Sequence, residues 1–247
     1  MTEQAIITTT VNLLQDNVQV SAYLAEPKES GLYPGVVVLQ EIFGVNVHIR
    51  EVTERIAKLG YVAIAPALFD RVAPGFETGY TPEDIETGRS YAMQTQASEL
   101  SSDIQLAIDY LKNLPQVKKK DGFGCIGFCF GGHVAYLAAT LPDIKATASF
   151  YGAGISTRTL GVGAPTLTRT REITGTLYAF FGKEDASIPS EQVDEIEAEL
   201  EKYKIPHRVF RYDGAGHGFF CDLRASYNPK AAADAWEQVK QLFSQLN

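Results

Sequence analysis

The sequence predicts a mostly parallel α/β sheet with helices on both faces and an antiparallel hairpin at its N-terminal end. Three observations lead there. A continuous apolar run at residues 35–40 reads as a strand buried on both faces, and residues 61–65, 146–151 and 176–181 read as further strands. Segments with apolar residues at helical spacing lie between several of them. Runs and stripes alternate along the chain, the pattern of parallel strands joined by crossover helices.

The elements follow in order. Residues 6–10 and 18–24 alternate or are rich in β-formers, and Asp16-Asn17 between them reads as the turn of the opening hairpin. The run 35–40 ends at Glu41-Ile42-Phe43-Gly44. Ile49, Val52, Ile56 and Leu59 form a helical stripe that Gly60 stops, and the run 61–65 is closed by Pro66. Residues 67–81 read as a loop punctuated by Pro74-Gly75 and Gly79. A helical region spans about 82–114. Its second half carries Leu100, Ile104, Ala107, Ile108 and Leu111, while its weakly apolar first half allows a separate helix. A strand then runs into Gly127, and Pro142 ends the alanine-rich helix that leaves it. The run 146–151 is followed by a loop or short irregular pieces over 152–175.

The run 176–181 ends at Gly182-Lys183-Glu184-Asp185. Val193, Ile196, Leu200 and Tyr203 mark an amphipathic helix with acids early and lysines late, matching its dipole. The strand 207–212 leads into Asp213-Gly214-Ala215-Gly216-His217-Gly218. Asn228 reads as an N-cap before Pro229, and the closing helix is expected to bury Trp236, Val239, Leu242, Phe243 and Leu246. No internal repeat, linker or compositional break appears, so residues 1–247 read as one domain.

Composition narrows the function. The net charge of −8 argues against nucleic acid as a main partner. No apolar run is long enough to span a membrane, and Met1-Thr2-Glu3-Gln4-Ala5 lacks the basic start of a signal peptide. The three cysteines form no disulfide framework and suit a reducing cytoplasm. Cys125 and Cys129 have no second cysteine pair or close histidine pair to complete a zinc site, so no metal is expected. A monomer is the default expectation.

The chemistry centres on Gly127-Phe128-Cys129-Phe130-Gly131-Gly132. A strand ends and a helix begins here, with glycine on both sides of one reactive side chain. That is the layout of a nucleophile elbow with cysteine in place of serine. Gly127 and Gly131 leave room for a sharp turn, which aims Cys129 at the unpaired N–H groups of the following helix. The alternative is a buried cysteine between a strand and a helix.

In an open α/β sheet, ligands bind beyond the carboxyl ends of the strands. Glu41, Cys129, Asp185 and His217 all fall at such ends. Cys129, Asp185 and His217 also follow the chain order nucleophile, acid, histidine of the α/β-hydrolase fold. In those roles Cys129 attacks a carbonyl, His217 moves the proton, and Asp185 holds the other ring nitrogen. The N–H groups of Phe130 and Ile42 are candidates for an oxyanion hole. Asp185 alone also reads as a turn residue, and Glu41 as exposed or simply paired.

Here the chain resembles the dienelactone hydrolase (carboxymethylenebutenolidase-like) family. The resemblance rests on Gln40-Glu41-Ile42-Phe43-Gly44-Val45, the cysteine elbow, Gly182-Lys183-Glu184-Asp185 with Pro189 after it, and Ala215-Gly216-His217-Gly218-Phe219. It covers roughly residues 18–245. It implies a cofactor-free hydrolase of small lactones or activated esters, working through a Cys–His–Asp triad and a thioester. It also implies that the resting cysteine can turn away from the histidine, and that Glu41 helps deprotonate it when substrate binds. Phe43, Tyr91 and Tyr151 become candidates for contacting substrate.

Two positions depart from the family pattern. Family members acting on dienelactone hold its carboxylate with two arginines, four residues before the tyrosine matching Tyr91 and four after the histidine. Those positions are Thr87 and Cys221 here. Arg89 and Arg224 are nearby replacements at a different spacing. The triad therefore carries over and the dienelactone specificity does not. An esterase or thioesterase for another acyl group stays open, as does a silent small-ligand-binding protein of the same fold.

Overall fold

The computed structural model describes residues 4–15 and 18–247. Its eight strands are β1 (Ile6–Gln15), β2 (Val18–Pro27), β3 (Gly35–Leu39), β4 (Val62–Pro66), β5 (Phe123–Phe128), β6 (Ile144–Phe150), β7 (Thr176–Gly182) and β8 (His207–Tyr212). They form one sheet in the order β1-β2-β4-β3-β5-β6-β7-β8. β1 pairs antiparallel with β2, and β2 with β4, while β4, β3 and β5 to β8 run parallel. β1 and β2 pair along their length, from Ile6 opposite Pro27 to Gln15 opposite Val18. The turn read at Asp16-Asn17 lies outside the described residues. β1 also continues past Thr10, because Val11 and Leu13 pack inward, with Leu13 fully buried.

The six α-helices are α1 (Val47–Lys58), α2 (Pro82–Ala92), α3 (Ala97–Asn113), α4 (Phe130–Ala138), α5 (Ser190–Lys202) and α6 (Pro229–Phe243). The side-chain alternation of the central strands divides the core in two. Val36 and Val38 pack with Ile49, Val52 and Ile56 of α1 and with Val239 and Leu242 of α6. Val37 and Leu39 pack on the opposite face with Ile104 and Ile108 of α3 and with Val134 and Leu137 of α4. β3, β4 and β5 are buried along their whole lengths, which explains their unbroken apolar sequence.

The region 82–114 is two helices. Thr81 and Asp84 form a reciprocal capping box at the start of α2, with Pro82 in its first turn. Gly88 is the buried residue of α2, and a Cβ there would lie 2.1 Å from the Ile42 carbonyl oxygen, so α2 caps the loop after β3. The closing helix ends at Phe243, and Leu246 falls in the 3-10 turn Ser244–Leu246. Trp236 corrects the sequence reading, since it is half-buried with the Arg55 guanidinium 4.1 Å above its ring.

Both long connections are pinned. In the first, the Leu68 N–H donates to Gln40 Oε1 (3.0 Å), and Arg71 forms a two-toothed ion pair with buried Asp103 of α3. In the second, the region 152–175 contains the 3-10 helix Thr166–Glu172, tied to α4 by His133 Nε2 with Thr166 Oγ1 (2.7 Å) and by Tyr136 with Thr170 (2.7 Å).

Candidate active site

The turn from β5 into α4 holds Cys129 at φ 54° and ψ −116°. Few side-chain-bearing residues adopt that conformation, and a set of close backbone approaches imposes it. A Cβ on Gly127 would lie 1.9 Å from the Gly131 carbonyl oxygen. A Cβ on Gly131 would lie 2.4 Å from the carbonyl oxygens of Leu39 and Gln40. Glycine is therefore required at both places. The Cys129 N–H donates to Phe150 O (3.0 Å), and the Cys129 carbonyl accepts from Gly132 N (2.9 Å). The half-buried thiol thus stands at the first turn of α4. The Phe130 N–H belongs to that turn, where no preceding carbonyl within the helix can accept it.

His217 reaches the thiol from the loop after β8. Its Nε2 lies 3.1 Å from Cys129 Sγ, and its Nδ1 lies 2.7 Å from Asp185 Oδ2. Asp185 follows β7 with a fully buried side chain, and its second oxygen accepts the Ser187 N–H at 2.8 Å. It thereby serves as turn residue and histidine partner at once. The loops carrying the two residues are stitched together by the Glu184 N–H donating to Ala215 O (3.0 Å). Burial of the His217 ring opposes its charge. The negative charge at Cys129 and the hydrogen bond to Asp185 outweigh that, so its pKa is pushed up to about 10.

Glu41 sits at the end of β3 and is fully buried. Its Oε1 accepts from Arg224 Nη1 at 2.9 Å, and its Oε2 is buried without a hydrogen-bond partner. The Arg224 guanidinium also lies 5.7 Å from the Phe43 ring centroid and 5.9 Å from that of Tyr80. Burial works against the Arg224 charge, but Glu41 together with Tyr151, Cys129 and Cys221 outweighs it, so its pKa is raised. Arg224 is seven residues beyond His217 rather than four. Two successive tight turns, Cys221 N to Gly218 O (3.1 Å) and Arg224 N to Cys221 O (3.2 Å), fold it back onto Glu41.

The other sequence candidates divide. Ile42 is held by the approach of Gly88 to its carbonyl. Tyr151 is fully buried at φ 36°, its ring 5.3 Å from that of His217 and its hydroxyl unpartnered. Burial, then the charge of Glu41, raise its pKa well above the ordinary tyrosine value. Phe43 is buried edge-on to Tyr80 (4.6 Å), beneath Arg224. Tyr91 is half-buried against Phe76 (4.8 Å) and Phe69 (6.1 Å). Arg89 is not brought into the cluster. It is exposed on α2, because its neighbour Gly88 faces Ile42. Thr87 is exposed and bonds the Glu83 carbonyl (2.9 Å).

Cys221 is a buried thiol donating to Tyr80 Oη (3.3 Å), and burial pushes its pKa up to about 11. Sequence reasoning missed Tyr80, which bridges Cys221 and Asn46 Nδ2 (3.1 Å), and it missed buried His48. Asn46 carried a usable signal, as a capping residue ahead of the helical stripe, and it accepts the Ile49 N–H at 3.3 Å. Among the described residues no helix is long and apolar enough to cross a membrane.

Comparison with known proteins gives a consistent picture. A Synechocystis sp. protein, "Putative carboxymethylenebutenolidase", is 59% identical over 238 residues, covering 96% of each chain. A Bradyrhizobium sp. protein, "Probable 2-oxo-3-(5-oxofuran-2-ylidene)propanoate lactonase", is 30% identical over 88% of this chain and 86% of its own. The crystal structure of a "Putative Dienelactone Hydrolase" from Klebsiella pneumoniae superimposes with a TM-score of 0.88 at 29% identity, covering 98% of this chain and 100% of that one. Residues 20–247 match the model of the dienelactone hydrolase family, to which this chain belongs.

Proposed function

We propose that the protein hydrolyses small lactones or activated carboxylic esters through a thioester on Cys129. The observation that carries this reading is the continuous hydrogen-bonded line from Cys129 Sγ through His217 to Asp185, at 3.1 and 2.7 Å. The thiolate attacks the ester carbon, and the carbonyl electrons move onto oxygen. The N–H groups of Phe130 and Ile42 receive that oxyanion. As the tetrahedral centre collapses, the C–O bond breaks and the His217 imidazolium protonates the departing alkoxide. In a lactone the alcohol stays tethered to the acyl group. His217 then takes a proton from water, the hydroxide attacks the thioester, and the acid leaves with the thiol restored. Asp185 keeps the imidazole in one tautomer and stabilises its charged form throughout. Activated esters and lactones suit this cycle because their alkoxides depart readily. No second acid beside His217 is in evidence to protonate an amine.

The substrate class is a lactone or ester bearing a carboxylate. Thr87 and Cys221 remove both arginines of the family pattern, and Arg224 restores one cation to the site from a new position. The lactonase name of the Bradyrhizobium relative refers to a lactone that carries a propanoate. Arg224 is held against Glu41, so a substrate carboxylate competes with Glu41 for the guanidinium. A Glu41 released by that exchange becomes a base near the thiol, consistent with the role that the family resemblance implies.

Four tests follow from the mechanism. Intact-protein mass recorded through a single turnover on an activated acetyl ester and a lactone panel should show an acyl adduct that forms and clears. Cys129→Ala should form none and lose about 10⁴-fold or more in kcat/KM, and turnover that survives the substitution would reject the nucleophile. The His217 ring, followed by NMR, should titrate near pH 10 and fall well below that in Cys129→Ala, because the variant removes the charge that favours the protonated ring. Arg224→Met should lower kcat/KM about 10–100-fold more for carboxylate-bearing lactones than for neutral esters, the worth of one charged hydrogen bond. Equal losses on both would deny Arg224 a role in selectivity. Glu41→Gln should slow substrate-triggered alkylation of Cys129, and an unchanged rate with full activity would remove Glu41 from the mechanism.

A further inference from the structure

Beside the thiol–imidazole pair lies a group of side chains that the hydrolytic mechanism leaves partly unused. Glu41, His48 and Cys221 each offer one ligand atom within 4.8 Å of the other two, and all three are buried. Two of their polar atoms, Glu41 Oε2 and His48 Nε2, are buried with no hydrogen-bond partner. A buried polar atom without a partner is destabilising. Two of them around one thiol form an arrangement that a ligand accepting three donors would complete. We propose that Glu41, His48 and Cys221 form a binding site for a divalent transition-metal ion of the Zn²⁺ class.

The donor set argues for that class. One thiolate, one imidazole and one carboxylate are the ligands that Zn²⁺ combines, whereas Mg²⁺ and Ca²⁺ take oxygen. A tetrahedral Zn²⁺ holds such donors roughly 3.4–3.6 Å apart, so the three atoms must draw in by about 1 Å. That movement would fall on the start of a helix and on a short turn. His48 is the second residue of α1, and Cys221 lies in the tight turn that begins at Gly218. Tyr80 already contacts the Cys221 sulfur at 3.3 Å. Its hydroxyl can donate to the thiolate once the thiol proton has left to solvent, an outer contact of the kind that orients metal ligands. Arg224 occupies Glu41 Oε1, so an ion taken through Oε2 shares the carboxylate with it or displaces it.

A cavity borders the site on the His48 side. It has a volume of about 330 Å³ and is lined by His48 and by the carboxylates of Glu51, Asp222 and Glu237, with Arg55 as its one cation. Its charge favours entry of a cation, and His48 closes it off from Glu41. Occupation of the site would hold Glu41 away from Cys129. Only this consequence for hydrolysis rests on the proposed function; binding itself does not.

The test uses the full chain with Cys129→Ala, so that the proposed nucleophile cannot supply a thiolate. Zn²⁺ titrated by calorimetry should bind with one equivalent. Co²⁺ as a spectroscopic probe should give a sulfur-to-metal charge-transfer band that Zn²⁺ removes. Cys221→Ser in that background should abolish the band, and His48→Gln should weaken Zn²⁺ binding at least about hundredfold, more than loss of an outer contact costs. Absence of the band in Cys129→Ala alone overturns the proposal, whatever the fate of the other variants. Zn²⁺ binding unchanged by both Cys221→Ser and His48→Gln overturns it as well.

Discussion

The constraint on which the site depends is the close packing of backbone on backbone between β5 and α4. Gly127 approaches the Gly131 carbonyl, Gly131 approaches the ends of β3, and Gly132 would place a Cβ 2.2 Å from the Phe150 carbonyl oxygen. The two neighbouring strands, β3 and β6, thus hold the turn from either side. Cys129 carries the resulting strain, of roughly 1–3 kcal/mol for a sparsely populated backbone conformation. The surrounding sheet can sustain it because β5 is buried at every position and hydrogen-bonded on both edges. The thiol therefore has little freedom in where it points, and the loop bearing His217 has to come to it.

The two buried carboxylates of the site are treated differently. Asp185 has a partner on each oxygen, the His217 ring on one and the Ser187 N–H on the other. Such a group is locked, as an orienting residue should be. Glu41 has a partner on one oxygen alone, a guanidinium reaching in from the turn after His217. A buried charge held by a single movable partner is costly unless that partner stays or is replaced. Glu41 is therefore the group in the site most sensitive to whatever enters it, whether a substrate carboxylate drawing off Arg224 or a metal ion taking the free oxygen.

The architecture was legible in the sequence because its signals are local. Unbroken apolar runs at 35–40 and 61–65 mark doubly buried strands, and Cys129, Asp185 and His217 each fall within five residues of the end of a strand. What was not legible joins loops far apart in the chain. Arg224 and Glu41 are 183 residues apart and meet only because two tight turns reverse the chain after Gly218. Counting positions from His217 pointed to Cys221 instead, since residue spacing in a loop does not determine where the side chain arrives. Tyr80 and His48 belong to the same class, and no periodicity distinguishes them. Trp236 was read as core from its place in a helical stripe, yet it sits at the margin of α6, where Arg55 covers the ring.

These two kinds of contact differ in what holds them in place. The line Cys129–His217–Asp185 rests on strand ends and on backbone approaches that tolerate no side chain, so it can change only with the sheet itself. The cation that faces it rests on a surface turn and an aromatic bed of Phe43 and Tyr80. A cation supplied by a turn can move along the sequence while returning to the same point in space. Here the turn brings Arg224 onto Glu41, while positions 87 and 221 are threonine and cysteine. One guanidinium lies against the buried carboxylate, and on α2 Thr87 donates to the Glu83 carbonyl of its own helix. The Arg224 guanidinium therefore meets Glu41 from the side of the loop that carries His217.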